Sequence, residues 1–114
     1  MPSLLIRLNP QLLSNPDLDI RYELPDRLHD LSNGLLRPDG FDYEDGTDAL
    51  LIFMEADDLE AVIPVVINAL ENEEVLGNRL AMVARVGASP FDNADVLSDF
   101  VAVYPQDEAG SQMA

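Results

Sequence analysis

The sequence predicts an α+β domain with a mostly antiparallel sheet and its helices on one face. Two observations lead to this prediction. The chain has 114 residues, of which 47% are hydrophobic, so it can bury one core without disulfide bonds or metal ions. Short apolar runs bounded by Pro, Gly, Asn and Asp alternate with two stretches of helical periodicity. We expect a single domain over residues 1–105 and a polar, disordered tail over residues 106–114.

The first third of the chain predicts two strands and a short helix. Residues 4–8 are an apolar run that ends before an Asn-Pro pair, which is typical of a strand. Residues 19–24 alternate polar and apolar side chains, which predicts a half-buried strand. Pro25 is typical of the first turn of a helix, because its missing N–H would have no acceptor there. The helix is therefore predicted to begin at Pro25, with Leu28, Leu31 and Leu35 on its inner face, and to fray or end at Asn33-Gly34.

The middle of the chain predicts an acidic hairpin, a buried strand and a long helix. Residues 37–48 are rich in Gly and Asp, and their aromatic residues alternate with acids as in a brief edge strand. Residues 49–54 are apolar throughout, which predicts a central strand covered on both faces or a strand buried in an interface. A helix is predicted over residues 58–72, capped at its start by an aspartate. Its apolar face is so broad that it either packs beneath another element or forms an interface.

The last third predicts a strand over residues 80–86, a helical turn over residues 90–97 and a strand over residues 100–104. Over residues 19–86, the predicted order is that of a ferredoxin-like β-α-β-β-α-β core. The first and last predicted strands would be extra N- and C-terminal strands of its sheet.

Charge is the most unusual property of the chain. Twenty-two acidic residues oppose six basic ones, all arginine, for a formal net charge of −16. Nucleic acids and anionic membranes should repel such a chain, whereas a basic protein partner should attract it. The acidity also fits a chain made soluble by its surface charge or adapted to salt. Neither a signal peptide nor an apolar run long enough to cross a membrane is recognisable, so we expect a cytoplasmic protein.

The residues that carry catalytic chemistry are scarce. The sequence has no cysteine, no lysine and a single histidine, His29. We interpret His29 as a surface residue beside acids, and not as a general base. A metal ion could use the acids of the 37–48 segment, but their spacing does not match a calcium-binding loop. We therefore expect no enzymatic activity, no cofactor and no metal site.

Two surfaces are candidates for binding a partner. The first is the acidic hairpin, where aromatic residues lie between acids as at many interface hot spots. Its predicted partner-binding residues are Asp39, Phe41, Asp42, Tyr43, Glu44, Asp45 and Asp48. The second is the apolar helix over residues 58–72, which could form a homodimer. The sequence leaves open which surface is used, and whether Phe41 and Tyr43 point into the core instead.

In layout, the chain resembles the small acidic immunity proteins of bacterial toxin–immunity systems. The resemblance lies in a single acidic α+β domain without a nucleophile, and in an Asp/Gly-rich hairpin that leads into a strand and an acid-capped helix over residues 37–72. It implies inhibition of a basic toxin by occlusion of its active surface. The alternative is a ferredoxin-like regulatory or assembly domain that acts as a homodimer.

Overall fold

The structure is a computed structural model that describes residues 1–44, 46–91, 94 and 96–113. In chain order its elements are β1 (Ser3–Leu8), α1 (Ile20–Leu31), β2 (Arg37–Tyr43), β3 (Leu50–Glu55), α2 (Leu59–Asn72), β4 (Glu74–Val75), β5 (Asn78–Arg79), β6 (Ala84–Ser89) and β7 (Val101–Tyr104). Single 3₁₀ turns lie at Pro10–Leu12, Leu97–Asp99 and Gln106–Glu108. The predicted α+β class is confirmed.

Five strands form one antiparallel sheet in the order β2-β3-β1-β6-β7, and β4 pairs with β5 in a separate hairpin. β1 lies at the centre of the sheet, where Ile6 is opposite Ile52 on β3 and Val86 on β6. The prediction of β1 as an extra N-terminal strand is therefore wrong. All side chains of β1 except that of Arg7 are buried, as expected of a central strand whose two faces are both covered. β3 and β7 match their predicted strands.

The strand predicted over residues 19–24 is also wrong, because α1 begins at Ile20 and contains Pro25 in its interior. Tyr22, which strand alternation would place beside the core, is 52% exposed. The apolar side chains that α1 buries against the sheet are four residues apart, as in a helix: Ile20, Leu24 and Leu28.

Both helices pack on the same face of the sheet. α2 begins after Asp58, whose carboxylate accepts a hydrogen bond from the N–H of Glu60 at 3.1 Å. Seven side chains of α2 belong to the main core or pack against it: Leu59, Val62, Ile63, Val66, Ile67, Ala69 and Leu70. The broad apolar face of α2 therefore packs mainly against the sheet.

The second face of the sheet carries a smaller core. Its buried members are Leu5, Leu51, Ala94, Phe100, Ala102 and Met113. The N–H of Ala102 donates to the carbonyl of Ser111 at 2.7 Å, and the N–H of Gly110 donates to the carbonyl of Ala102 at 2.8 Å. Residues 110–113 therefore lie along the outer edge of β7, and Met113 packs on the sheet. This arrangement differs from the disordered tail predicted from the sequence, because one apolar side chain near the end of a polar segment finds a buried position.

The region between α2 and β7 differs in detail from the prediction. β6 begins at Ala84, later than the strand predicted over residues 80–86. The helical turn predicted over residues 90–97 falls partly on residues 92, 93 and 95, which lie outside the described residues. The hairpin of β4 and β5 was not predicted, and its turn residues Leu76 and Gly77 have φ angles of 51° and 80°. Within the described ranges, no helix is long and apolar enough to cross a membrane.

Candidate partner-binding surface

β2 is the open edge of the sheet. Among the described strands it pairs with β3 alone, whereas residues 110–113 cover the outer edge of β7. Edge strands can pair with other chains, and proteins limit this with proline, charged residues and bulges. β2 has all three features: Pro38, the exposed acids Asp39 and Asp42, and an irregularity between Pro38 and Phe41. The edge is accessible to a partner but protected against non-specific strand pairing.

The predicted site residues on β2 lie on two faces of the sheet. Phe41 is opposite Ile52, which belongs to the main core on the helix side. Asp42 is opposite Leu51, which belongs to the smaller core on the second face. Because side chains alternate along a strand, Tyr43 shares the helix side with Phe41, and Asp42 faces the other way. The predicted site therefore divides into an aromatic part and an acidic part.

The aromatic residues of the predicted site are accessible at the border of the core. Phe41 is 37% exposed and Tyr43 is 40% exposed. Asp39, Asp42 and Asp48 are exposed as well. Asp45 lies outside the described residues, so its predicted place in the site stays a prediction.

Glu44 differs from the other predicted acids because its charge is already paired. Arg7 on β1 donates from Nε and Nη2 to the two carboxylate oxygens of Glu44 at 3.2 and 2.9 Å. The hydroxyl of Thr47 also donates to Glu44. These hydrogen bonds, that of Arg7 first, hold the pKa of Glu44 below its ordinary value of 4.5. Glu44 therefore joins the β2–β3 connection to β1 and offers little free charge to a partner.

A cluster of four side chains lies where α1 meets the helix side of β2; we call it the Arg21 cluster, and it consists of Arg21, Tyr22, Phe41 and Tyr43. The ring centroids of Tyr22 and Phe41 are 5.7 Å apart, and those of Phe41 and Tyr43 are 6.2 Å apart, both edge to face. The guanidinium carbon of Arg21 lies 4.9 Å from the Tyr22 centroid and 5.0 Å from the Phe41 centroid. The rings and the guanidinium thus hold one another at the protein surface.

Sequence reasoning missed Arg21 and Tyr22 as site residues. The alternation of Ile20, Tyr22 and Leu24 was interpreted as a strand, which placed Tyr22 in the core. The spacing of Ile20, Leu24 and Leu28 was a usable signal for a helix, and a helix would have placed Tyr22 outside that stripe. No sequence pattern, however, indicates that Tyr22 would meet Phe41, because that contact depends on how α1 lies across the sheet.

A shallow groove of about 250 Å³ adjoins the Arg21 cluster between α1 and β2. Three members of the cluster line it, and so do Pro25, Asp26, Pro38 and Gly40. Rigid aromatic and proline surfaces lose little conformational entropy when they bind a partner, and Tyr and Arg are enriched at interface hot spots. The groove therefore suits an extended segment or a loop of another protein.

Other parts of the described structure are weaker candidates for a functional site than the β2 edge. The imidazole Nδ1 of His29 lies 3.5 Å from a carboxylate oxygen of Asp30, and both side chains are accessible. A second groove of about 440 Å³ contains Arg7 and Arg85, but both are paired with acids, Glu44 and Glu108. Among the residues that the structure describes, no group of three or more His, Asp or Glu side chains is arranged to hold a metal ion.

Comparison with known proteins returned no relative: no family model, no curated protein and no solved structure matches this chain.

Proposed function

We propose that this protein is a non-enzymatic binding protein that recognises a basic protein partner at the β2 edge. One observation carries the proposal. An open edge strand with two exposed acids, Asp39 and Asp42, lies directly beside an exposed aromatic cluster. Aromatic residues supply contact area at interfaces, and complementary charge speeds encounter and favours the right partner. The net charge of −16 adds a long-range field that attracts basic proteins.

The homodimer is the second candidate, and the same edge argues against it. Two copies paired through β2 would bring Asp39 and Asp42 close to the same acids of the other copy, and facing like charges are destabilising. Pairing through α2 is less favoured, because most of the large apolar side chains of that helix pack on the main core. A ferredoxin-like topology is part of this alternative. It is supported by the order β1-α1-β2-β3-α2-β6 of the helices and main-sheet strands, with the small hairpin of β4 and β5 inserted before β6.

Inhibition of a basic toxin, as in bacterial immunity proteins, is the most specific form of the proposal. Its supports are the resemblance in layout, the net charge and the accessible edge. A cytoplasmic setting belongs to the same proposal and is supported by the absence of cysteine from the sequence. A reading frame for a basic protein directly beside this one in the genome would favour it further.

The proposal is tested by the rate of association with a partner. Proteins captured by the immobilised full chain at low salt would be identified, and the association of each purified candidate would be followed by stopped-flow fluorescence. We expect a basic partner whose association slows steeply as NaCl rises. The double variant Asp39→Asn/Asp42→Asn should associate several times more slowly than the wild type and depend less on salt, because these acids lie at the proposed contact.

The matched control is Glu60→Gln/Glu71→Gln, which removes the same charge from exposed positions of α2. It should reduce the association rate only slightly, because the net field changes little. Equal rates in the two double variants would show that the β2 edge is not the contact. A captured partner that is itself acidic would count against the proposal as a whole.

A further inference from the structure

Within the described part of the chain, Arg21 is the arginine that has no carboxylate beside its charge. In a chain with 22 acids, the other five arginines each have an acid within 4.0 Å: Arg7 with Glu44, Arg27 with Glu73, Arg37 with Glu55 and Asp57, Arg79 with Glu74, and Arg85 with Glu108. Among the residues that the structure describes, Arg21 has none. Its neighbours are aromatic rings instead.

The guanidinium of Arg21 is nonetheless held in place. It stacks beside the rings of Tyr22 and Phe41, and its Nη1 donates to the hydroxyl of Tyr43 at 3.3 Å. This hydrogen bond is the main reason that the pKa of Arg21 lies above its ordinary value. A guanidinium is charged at all relevant pH values even without such a shift. A fixed and permanently charged guanidinium has lost much of its conformational entropy before any partner arrives.

Part of the hydrogen-bonding capacity of Arg21 is free for a partner, at the two terminal nitrogens of its guanidinium. A guanidinium has five N–H donors in a planar fork, and in the described structure one donates to Tyr43. Among the described residues the Nε atom has no hydrogen-bond acceptor, but it is buried, so a partner would reach the Nη1 and Nη2 donors at the end of the guanidinium. Planar forks of this kind match a carboxylate through two parallel hydrogen bonds. The groove between α1 and β2 is the open space next to this fork.

We propose that Arg21 receives a carboxylate side chain, Asp or Glu, from the protein partner that docks on the groove. This inference rests on the proposed function and names one feature of the partner: a segment with an acid at its centre and basic or apolar residues around it. Free polyanions do not fit, because the net charge of −16 repels them. An acid carried on a basic surface reaches Arg21 because the flanking basic groups meet exposed acids beside the groove, Asp26 on α1 and Asp39 on β2. The Arg21 cluster thereby selects the partner, and the surrounding acids attract it.

The probe is an array of 12-residue peptides composed of basic, apolar and proline residues. Every sequence is present in four forms, with Glu, Asp, Gln or Asn at its centre, and binding of the labelled full chain is measured by fluorescence. We expect some sequences to bind, and their acidic forms to bind about tenfold or more tightly than their amide forms, as for a hydrogen bond between charged groups. In solution, the tightest acidic peptide should shift the NMR resonance of the Arg21 Nε–H.

The decisive variant is Arg21→Lys, which keeps the net charge but loses the planar fork and the stacking on Tyr22 and Phe41. It should lose the preference for acidic over amide peptides. Arg79→Lys, the same change at an arginine whose side chain is 86% exposed, should keep that preference. The inference is overturned if no peptide binds, if acidic and amide forms bind equally, or if Arg21→Lys keeps the preference.

The same array separates this inference from the proposed function. Asp39→Asn/Asp42→Asn should weaken binding of all basic peptides while the preference for a central acid persists. This double variant could bind the peptides as tightly as the wild type while the preference for a central acid still required Arg21. That result would reject the proposed role of the acidic β2 edge and support the carboxylate site at Arg21. If the double variant bound more weakly but Arg21→Lys kept the preference for a central acid, the proposed function would be supported and the role of Arg21 rejected.

Discussion

The six arginines have two different roles in the molecule. Five of them neutralise acids, and the best-formed of these pairs joins Arg7 in the central strand to Glu44 beside the edge strand. The sixth, Arg21, is placed among aromatic rings, and we propose that it binds a carboxylate of the partner. A chain without lysine depends on guanidinium groups for both roles, and a guanidinium can form paired hydrogen bonds and also stack on rings.

Glu44 should make the stability depend on pH. Its pKa is lowered in the folded protein by Arg7, so the folded state holds this proton less tightly than the unfolded state. The contribution is present above the ordinary pKa of 4.5 and is lost as the pH falls through the lower folded value. We expect Glu44→Gln to cost about 1 kcal/mol of unfolding free energy at pH 7, as is typical of a charge-assisted hydrogen bond in a partly exposed pair.

Urea unfolding at several pH values between 7 and 3 would measure this effect. The difference in unfolding free energy between the wild type and Glu44→Gln should shrink as the pH falls below 4.5. Asp39→Asn, at an exposed position, serves as the control and should differ little from the wild type throughout. A Glu44→Gln difference that stayed constant with pH would mean that packing, not charge, accounts for its cost.

Among the elements, β6 and the C-terminal segment depend on each other. Gly87 of β6 has no side chain, and the space beside it is filled by Met113 and Phe100. A Cβ atom at this position would lie 2.8 Å from the Cγ of Met113 and 2.9 Å from the Cβ of Phe100. The glycine is therefore required by a close approach to the second face of the sheet, not by a turn.

Gly87→Ala should destabilise the protein by about 1–3 kcal/mol, because extra atoms in a filled core force its neighbours to move. Part of this loss should be recovered when Met113→Ala is added, since two of the three atoms nearest the new Cβ belong to Met113. Thermal or urea unfolding of the two single variants and the double variant would give the coupling energy. Additive effects would mean that Met113 does not occupy this position in solution, and would favour the disordered tail predicted from the sequence.

For the whole molecule, charge and packing act against each other. The sheet buries a core on both faces, while a net charge of −16 spreads repulsion over the surface of a small molecule. Repulsion of this kind keeps a protein soluble and monomeric but destabilises its compact state. The ion pairs relieve it only locally, since 22 acids face six arginines.

Added NaCl should therefore stabilise this protein. We expect the unfolding free energy to rise between about 10 and 200 mM NaCl, where the Debye length shortens from roughly 30 to 7 Å. Urea unfolding at fixed pH would measure the rise. The variant Glu60→Lys/Glu71→Lys lowers the net negative charge at two exposed positions of α2 and should weaken the dependence. A stability that falls with salt would mean that the ion pairs outweigh the overall repulsion.

The sequence by itself determined the class of the fold, the acid-capped helix α2, the strands β3 and β7, and the acidity that favours a basic partner. These follow from composition and from local patterns, such as the apolar run of β3 and the aspartate before α2. Only the tertiary structure decided that β1 lies at the centre of the sheet, that residues 110–113 cover one edge, and that Arg21 and Tyr22 join Phe41 and Tyr43. The reason is physical: the spacing of Ile20, Leu24 and Leu28 can indicate a helix, but it does not record how that helix lies across the sheet. Contacts between α1 and β2 join residues about twenty positions apart, and no local pattern records them.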